Sequence, residues 1–201
     1  MPIYNAPIRD MKFVMQEMLD VGSLTKFERF AEADTDTLDA ILEQSGKFST
    51  EVLAPLNVIG DQEGCTRNPD GSVTTPTGFK EAYKQVVEGG MMGLSHDPEY
   101  GGMGMPGIWA LASGEMQSAA NTSFAMYPGL TNGAAKAIEI GGSEDQKKTF
   151  LPKMVSGEWT GTMNLTEPHC GTDLGLLKTK AVPQADGSYK ITGQKLSLIH
   201  I

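Results

Sequence analysis

The spacing of hydrophobic positions along this chain changes period once, near Gly157, from helical recurrence to alternation. Beyond Pro7, the positions Ile8, Met11, Met15, Met18 and Leu19 recur three and four apart, with Arg9, Lys12 and Glu17 between them. That pattern predicts an amphipathic helix ended by Gly22 and Ser23. Asp34 to Thr37 offer N-caps for a long helix carrying Leu38, Ile41, Leu42, Phe48, Val52 and Leu53, which Pro55 should close. The segment 60–78 is polar and broken by Asn68-Pro69-Asp70-Gly71, a turn signal. Further helices are expected over Phe79–Glu88, stopped by Gly89-Gly90, over Ile108–Ala120 and over Leu130–Ile140. Ser143 and Gln146 then have the spacing of a capping box, opening a helix that runs to about Val155, with Pro152 expected to kink or stop it.

From Trp159 the alternation predicts a half-buried strand to Thr166, which must end at Pro168 because proline cannot continue a ladder. A second strand is expected over Lys178–Val182, joined by a two-residue Asp186-Gly187 turn to Tyr189–Thr192. Consecutive helices followed by strands indicate an α+β chain with a boundary near Gly157.

Composition narrows the function classes. A net charge of −9 over 201 residues, without clustered Lys and Arg, argues against a nucleic-acid partner. No apolar run approaches the roughly 18 residues of a membrane span. The first ten residues have neither the basic and apolar regions of a secretory signal nor the Arg- and Ser-rich character of a transit peptide. Two cysteines, Cys65 and Cys170, make no disulfide framework, and a reducing, cytoplasmic setting is expected. The twelve methionines are read as soft core fillers, with an acyl-tunnel lining as the alternative.

Gly102-Met103-Gly104-Met105-Pro106-Gly107 satisfies the spacing of a dinucleotide-binding turn. No strand is predicted before it, Pro106 interrupts it, and no acidic residue stands about 20 positions on to take a ribose hydroxyl. It is therefore not expected to bind a nicotinamide cofactor. His96, just upstream, is expected to be a solvated or capping residue.

The stretch Met163 to Asp173, MNLTEPHCGTD, carries the chemistry. An apolar run ends in Thr166-Glu167-Pro168 and opens into a turn with Gly171, Thr172 and Asp173, rich in backbone N–H groups and small hydroxyls suited to holding oxygen atoms. The stretch resembles the flavin-binding signature L-T-E-P-x-x-G-[ST]-D of the acyl-CoA dehydrogenase family. PEYGGMGMP at 98–106 and GSEDQKKTFLPKMVSGEW at 142–159 resemble further segments of that family in the same order, and the resemblance runs essentially to Lys195. The opening YNAPIRDMKFVMQEML resembles the short extension of one branch, which includes 3-methylmercaptopropionyl-CoA dehydrogenases.

The resemblance implies a helical extension over 1–33, an all-helical domain over 34–157, and the first strands of an antiparallel β domain over 158–201, truncated. It implies FAD as cofactor, an acyl-CoA thioester as substrate, an electron-transfer flavoprotein as acceptor and a homo-oligomer at full length. By the same resemblance, the backbone around Met163, Leu165 and Thr166 lines the flavin ring. Gly171 and Thr172 approach the pyrophosphate, and Thr172 also approaches the CoA side of the substrate.

His169 and Cys170 stand where the family usually has a small pair such as Gly-Ala. Cys170 is read as a space-filler in preference to a redox nucleophile, and His169 with Cys170 as no metal site, because the other His and Cys are distant in sequence. No acidic residue here matches the family's catalytic glutamate, so no catalytic residue is assigned and the chain alone is expected to be inactive. Residues 196–201 depart from the family pattern, with Ile199 where a hydroxyl is expected, and are expected to be foreign to it. An alkylation-response flavoprotein of the same fold and a non-catalytic scaffold are the alternatives.

Overall fold

The computed structural model describes residues 3–196 and divides into two compact units, Met1–Gly161 and Thr162–Ile201. The first unit is helical. Helix α1 (Ile8–Lys12) widens into a π-helical turn over Phe13–Met18. Met11 and Met15 face inward, whereas Met18 and Leu19 stay exposed. Lys12 ties this segment to α2 (Thr35–Phe48), its ammonium lying 2.9 Å from both Asp39 and Glu43. Helix α2 starts where the sequence indicated, with Asp34 accepting from the Thr37 amide at 2.8 Å.

Pro55 does not end that helix. The chain passes through a π turn over Ser49–Leu53 and continues as α3 (Ala54–Glu63), with Pro55 in its first turn, where its fixed φ of about −65° suits the helix. The Leu53 carbonyl, at the end of the π turn, accepts from the Asn121 side chain at 3.3 Å. A short hairpin, β1 (Thr66–Arg67) with β2 (Val73–Thr74), forms around the Asn68–Gly71 turn.

Helix α4 spans Phe79–Glu88, α5 Gly107–Ala120, α6 Thr122–Gly141 and α7 Glu144–Val155. The α6 helix begins earlier than expected and runs through Pro128. Its buried stripe, Phe124, Pro128, Thr131 and Ala135, recurs every three or four residues, so burial outweighs a helix-interior proline's cost of about 3 kcal/mol. Asn121 caps it, accepting from the Phe124 amide at 3.0 Å. The capping box of α7 forms as read from Ser143 and Gln146, and Pro152 does not stop the helix.

One core cluster joins Met11, Met15, Leu38, Leu42, Trp109 and Met116, and a second joins Phe48, Leu53, Leu56, Val86 and Phe124. Fully buried aliphatic side chains such as Leu38 and Leu42 each contribute about 2 kcal/mol.

Among its described residues the second unit has one antiparallel hairpin, β3 (Lys180–Pro183) with β4 (Tyr189–Thr192). Two expectations fail here. Trp159–Thr166 forms no strand among the described residues: a period-2 pattern supplies faces but not a ladder partner. The hairpin turn is longer than two residues, because Gln184 donates to the Ser188 carbonyl at 2.8 Å and Gly187 takes φ of 83° between them. The expectation at Ile199 lies outside the described residues. No helix among those described is long and apolar enough to cross a membrane.

Candidate functional site

Within the second unit, the turn Glu167–Cys170 is closed from both sides. The Glu167 amide donates to the Cys170 carbonyl at 2.9 Å, and the Cys170 amide returns a bond to the Glu167 carbonyl at 3.1 Å. Pro168 sits at the second turn position, whose φ it presets. The Glu167 side chain is only 2% exposed, and it is satisfied by donors distant in sequence. Its Oε2 accepts from the Lys178 amide at 2.8 Å, and its Oε1 accepts from the Thr179 amide at 3.0 Å and from Lys195 Nζ at 2.9 Å. The Lys178 amide first, then Thr179 and the Lys195 ammonium, hold this carboxyl far below the usual glutamate range. Glu167 is thus the hub that pins the turn to 178–179 and to 195. Sequence reading placed Glu167 in the motif but gave it no role, because no local spacing links 167 to 178 or 195.

The five residues expected at a cofactor lie on this turn and on the run that leads into it. Met163 is 51% and Leu165 41% exposed, unusual for apolar side chains beside so ordered a turn. The Leu165 carbonyl accepts from Lys195 Nζ at 3.0 Å and the Thr166 carbonyl from the Leu196 amide at 2.8 Å. The N–H groups of 162–166 have no backbone acceptor among the described residues. Thr166 and Gly171 are neighbours: a Cβ on Gly171 would lie 3.6 Å from the Thr166 methyl, an ordinary contact. Thr172 is exposed, one residue further on. Together these residues offer N–H donors without an acceptor among the described residues, a hydroxyl and an apolar face on one segment. That donor set fits the polar edge and the flat apolar face of a flavin. Cys170 is buried and Cys65 exposed.

The first unit holds a cleft of about 360 Å³ between α4, the following loop, α5 and α6. Its walls mix Met91, Met92, Leu94, Leu111 and Pro128 with Ser113, Gln117 and Asn132. Gln117 donates to Ser113 Oγ at 3.1 Å, and Ser113 pairs with Ser45 at 2.9 Å. His96, expected from the sequence to be a solvated or capping residue, is buried at 5% exposure. Its ring lies 3.4 Å from Asn132 Oδ1 and 3.7 Å from Glu139, which anchors the Gly-rich loop to α6.

The helical segment matches the family described as acyl-CoA dehydrogenase, N-terminal domain, over residues 35–158. The chain belongs to the acyl-CoA dehydrogenase family. It is 44% identical over 193 residues to a 3-methylmercaptopropionyl-CoA dehydrogenase of Ruegeria pomeroyi, covering 96% of this chain and 33% of that protein. It is 40% identical over 196 residues to a butyryl-CoA dehydrogenase of Syntrophomonas wolfei, covering 96% of this chain and 32% of that one. Among solved structures, an acyl-CoA dehydrogenase from Bacillus anthracis complexed with FAD superposes with a TM-score of 0.64 at 29% identity, over 82% of this chain and 26% of that chain. The chain therefore spans about a third of the length of the curated relatives it matches.

Proposed function

We propose that this chain contributes the flavin-facing segment and part of the acyl cleft of an FAD-dependent acyl-CoA dehydrogenase that forms an α,β double bond in an acyl-CoA thioester. The observation that carries this reading is the run Met163–Thr166, with exposed apolar side chains and N–H groups that have no acceptor among the described residues, beside a turn that Glu167 pins in place. FAD, when bound, supplies the acceptor for the hydride that leaves the β-carbon. The N–H groups of 163–166 and the Thr166 hydroxyl donate to its polar edge, where negative charge accumulates on reduction. Met163 and Leu165 cover an apolar face and exclude water. Gly171 leaves the backbone open to a pyrophosphate, and the Thr172 hydroxyl serves that group and the CoA side of the substrate.

The acyl chain enters the cleft lined by Met91, Met92, Leu94 and Leu111, whose volume falls in the range of small-molecule sites. The similarity to the Ruegeria pomeroyi protein supports 3-methylmercaptopropionyl-CoA as the substrate. An electron-transfer flavoprotein is the acceptor of the electrons, and the full-length protein is a cytoplasmic homo-oligomer of fatty acid metabolism. Among residues 1–201 none is assigned as the base.

The test is Thr166→Val in the full-length protein. FAD affinity should fall about five- to tenfold, the loss of roughly one hydrogen bond, with a shifted flavin absorbance. An unchanged spectrum and affinity would refute the assignment.

A further inference from the structure

The closed turn at 167–170 brings together three side chains that the sequence separates by chemistry but not by distance. One carboxylate oxygen of Glu167, one ring nitrogen of His169 and the Sγ of Cys170 all lie within 4.8 Å of one another. We propose that Glu167, His169 and Cys170 form a binding site for a thiophilic divalent cation, zinc by preference, with its fourth coordination position open to solvent. This goes beyond the flavin reading and does not rest on it.

The geometry is close to what such an ion requires. Bonds of about 2.0–2.1 Å to nitrogen or oxygen and 2.3 Å to sulfur place tetrahedral ligands roughly 3.3–3.8 Å apart. The His169 Nε2 to Glu167 Oε2 separation, 3.6 Å, already lies in that range. The remaining contraction is about an ångström, within the reach of side-chain torsions on a fixed turn. Backbone bonds in both directions between Glu167 and Cys170 hold the two outer ligands, so little chain entropy is lost on binding.

Glu167 is not saturated. An ionised carboxylate offers about four lone-pair directions. Among the described residues three are used, two of them on Oε1, by Thr179 and Lys195, and one on Oε2, by Lys178. The free direction is on Oε2, the oxygen that faces His169, while the competing ammonium of Lys195 sits on the other oxygen. The same His169 nitrogen, Nε2, donates to the Leu176 carbonyl at 2.9 Å, so an ion binds there by displacing that bond and its proton. His169 is exposed, which supplies an entry path, whereas Glu167 and Cys170 are buried. Thiolate, imidazole and carboxylate together suit zinc over magnesium or calcium.

The experiment titrates the reduced, metal-free 201-residue chain with Co(II), following the thiolate-to-cobalt charge-transfer band, and then adds zinc. The expected result is a band that saturates at one ion per chain, is bleached by zinc, and is absent in Cys170→Ser. His169→Gln, a change at an exposed position, should weaken binding about tenfold or more. Circular dichroism of both variants checks that they fold. The absence of a saturable band in the wild-type chain would overturn the proposal. So would a band that survives Cys170→Ser and disappears in Cys65→Ser, which would assign it to the exposed Cys65.

Discussion

Lys195 places its ammonium 2.9 Å from Oε1 of Glu167, a carboxylate 28 residues away in sequence. The same ammonium reaches the Leu165 carbonyl at 3.0 Å, so one cation holds both the turn and the run that leads into it. Because Glu167 titrates far below its ordinary value in the folded unit, its contribution to stability is complete above the unfolded-state value of about 4.3 and is lost as pH falls through the lower folded-state value. Amide protection at Lys178 and Thr179, measured by NMR hydrogen exchange, should therefore fall on acidification below about pH 4.3. Glu167→Gln should flatten that part of the pH dependence. Equal acid sensitivity in both proteins would show that other carboxyls govern it.

Gly171 offers a cleaner probe of the flavin reading. Among the described residues a Cβ there meets only the Thr166 methyl, at 3.6 Å, so none of them demands a glycine. Gly171→Ala should leave stability within about 0.5 kcal/mol of wild type and yet weaken FAD binding about tenfold, because the added methyl projects where a ligand must approach the backbone. Stability is read by urea denaturation and affinity by flavin fluorescence. Unaltered affinity would move the cofactor away from this turn.

Asn121 is the joint between α5 and α6. Its Oδ1 accepts from the Phe124 amide and from Ser123 Oγ, and its Nδ2 donates to the Leu53 carbonyl. Asn121→Ala removes a cap and a buried hydrogen bond to Leu53, which together should cost about 2–3 kcal/mol. Asn121→Ser keeps an oxygen for the cap and should lose less. Chemical denaturation that shows the two variants equal would mean that the cap contributes nothing.

What the sequence made legible was local. Asp34, Ser143 with Gln146, and Gly89-Gly90 mark helix ends through their own side chains or backbone freedom, and those ends fall where expected. Pro55 and Pro128 misled because their cost is local while the compensation is tertiary: a π turn before one, a buried stripe through the other. Alternation at 159–166 gave the look of a strand, but a strand is a relation between two segments. The same division holds at the site. The run and turn from Met163 to Thr172 were readable as a motif, whereas the contacts that make Glu167 its anchor join positions 11, 12 and 28 residues apart. His96 was misjudged for a related reason, since its burial depends on Asn132 and Glu139 of α6.

The Gly-rich loop supplies the last test, because its spacing imitates a dinucleotide turn while its hydrogen bonds forbid one. The amides of Gly102, Met103, Gly104 and Met105 already donate to the carbonyls of Asp97, Gly93, His96 and Leu94, at 2.9 to 3.1 Å. A pyrophosphate would find none of these donors free. The glycines have different tasks. A Cβ at Gly102 would run into the backbone carbonyl of His96, and Gly104 has φ of 67°, whereas a Cβ at Gly107 meets nothing within 4 Å. Gly102→Ala should therefore cost more than about 2 kcal/mol and loosen the loop around His96. Gly107→Ala, in the first turn of α5, should stabilise the chain by about 0.5–1 kcal/mol by restricting the unfolded backbone. Neither the wild type nor Gly107→Ala should bind NADH saturably in a fluorescence titration. Saturable binding by the wild type that is lost in Gly104→Ala would show that the loop opens to receive a dinucleotide, and the assignment of its amides to purely internal bonds would be wrong.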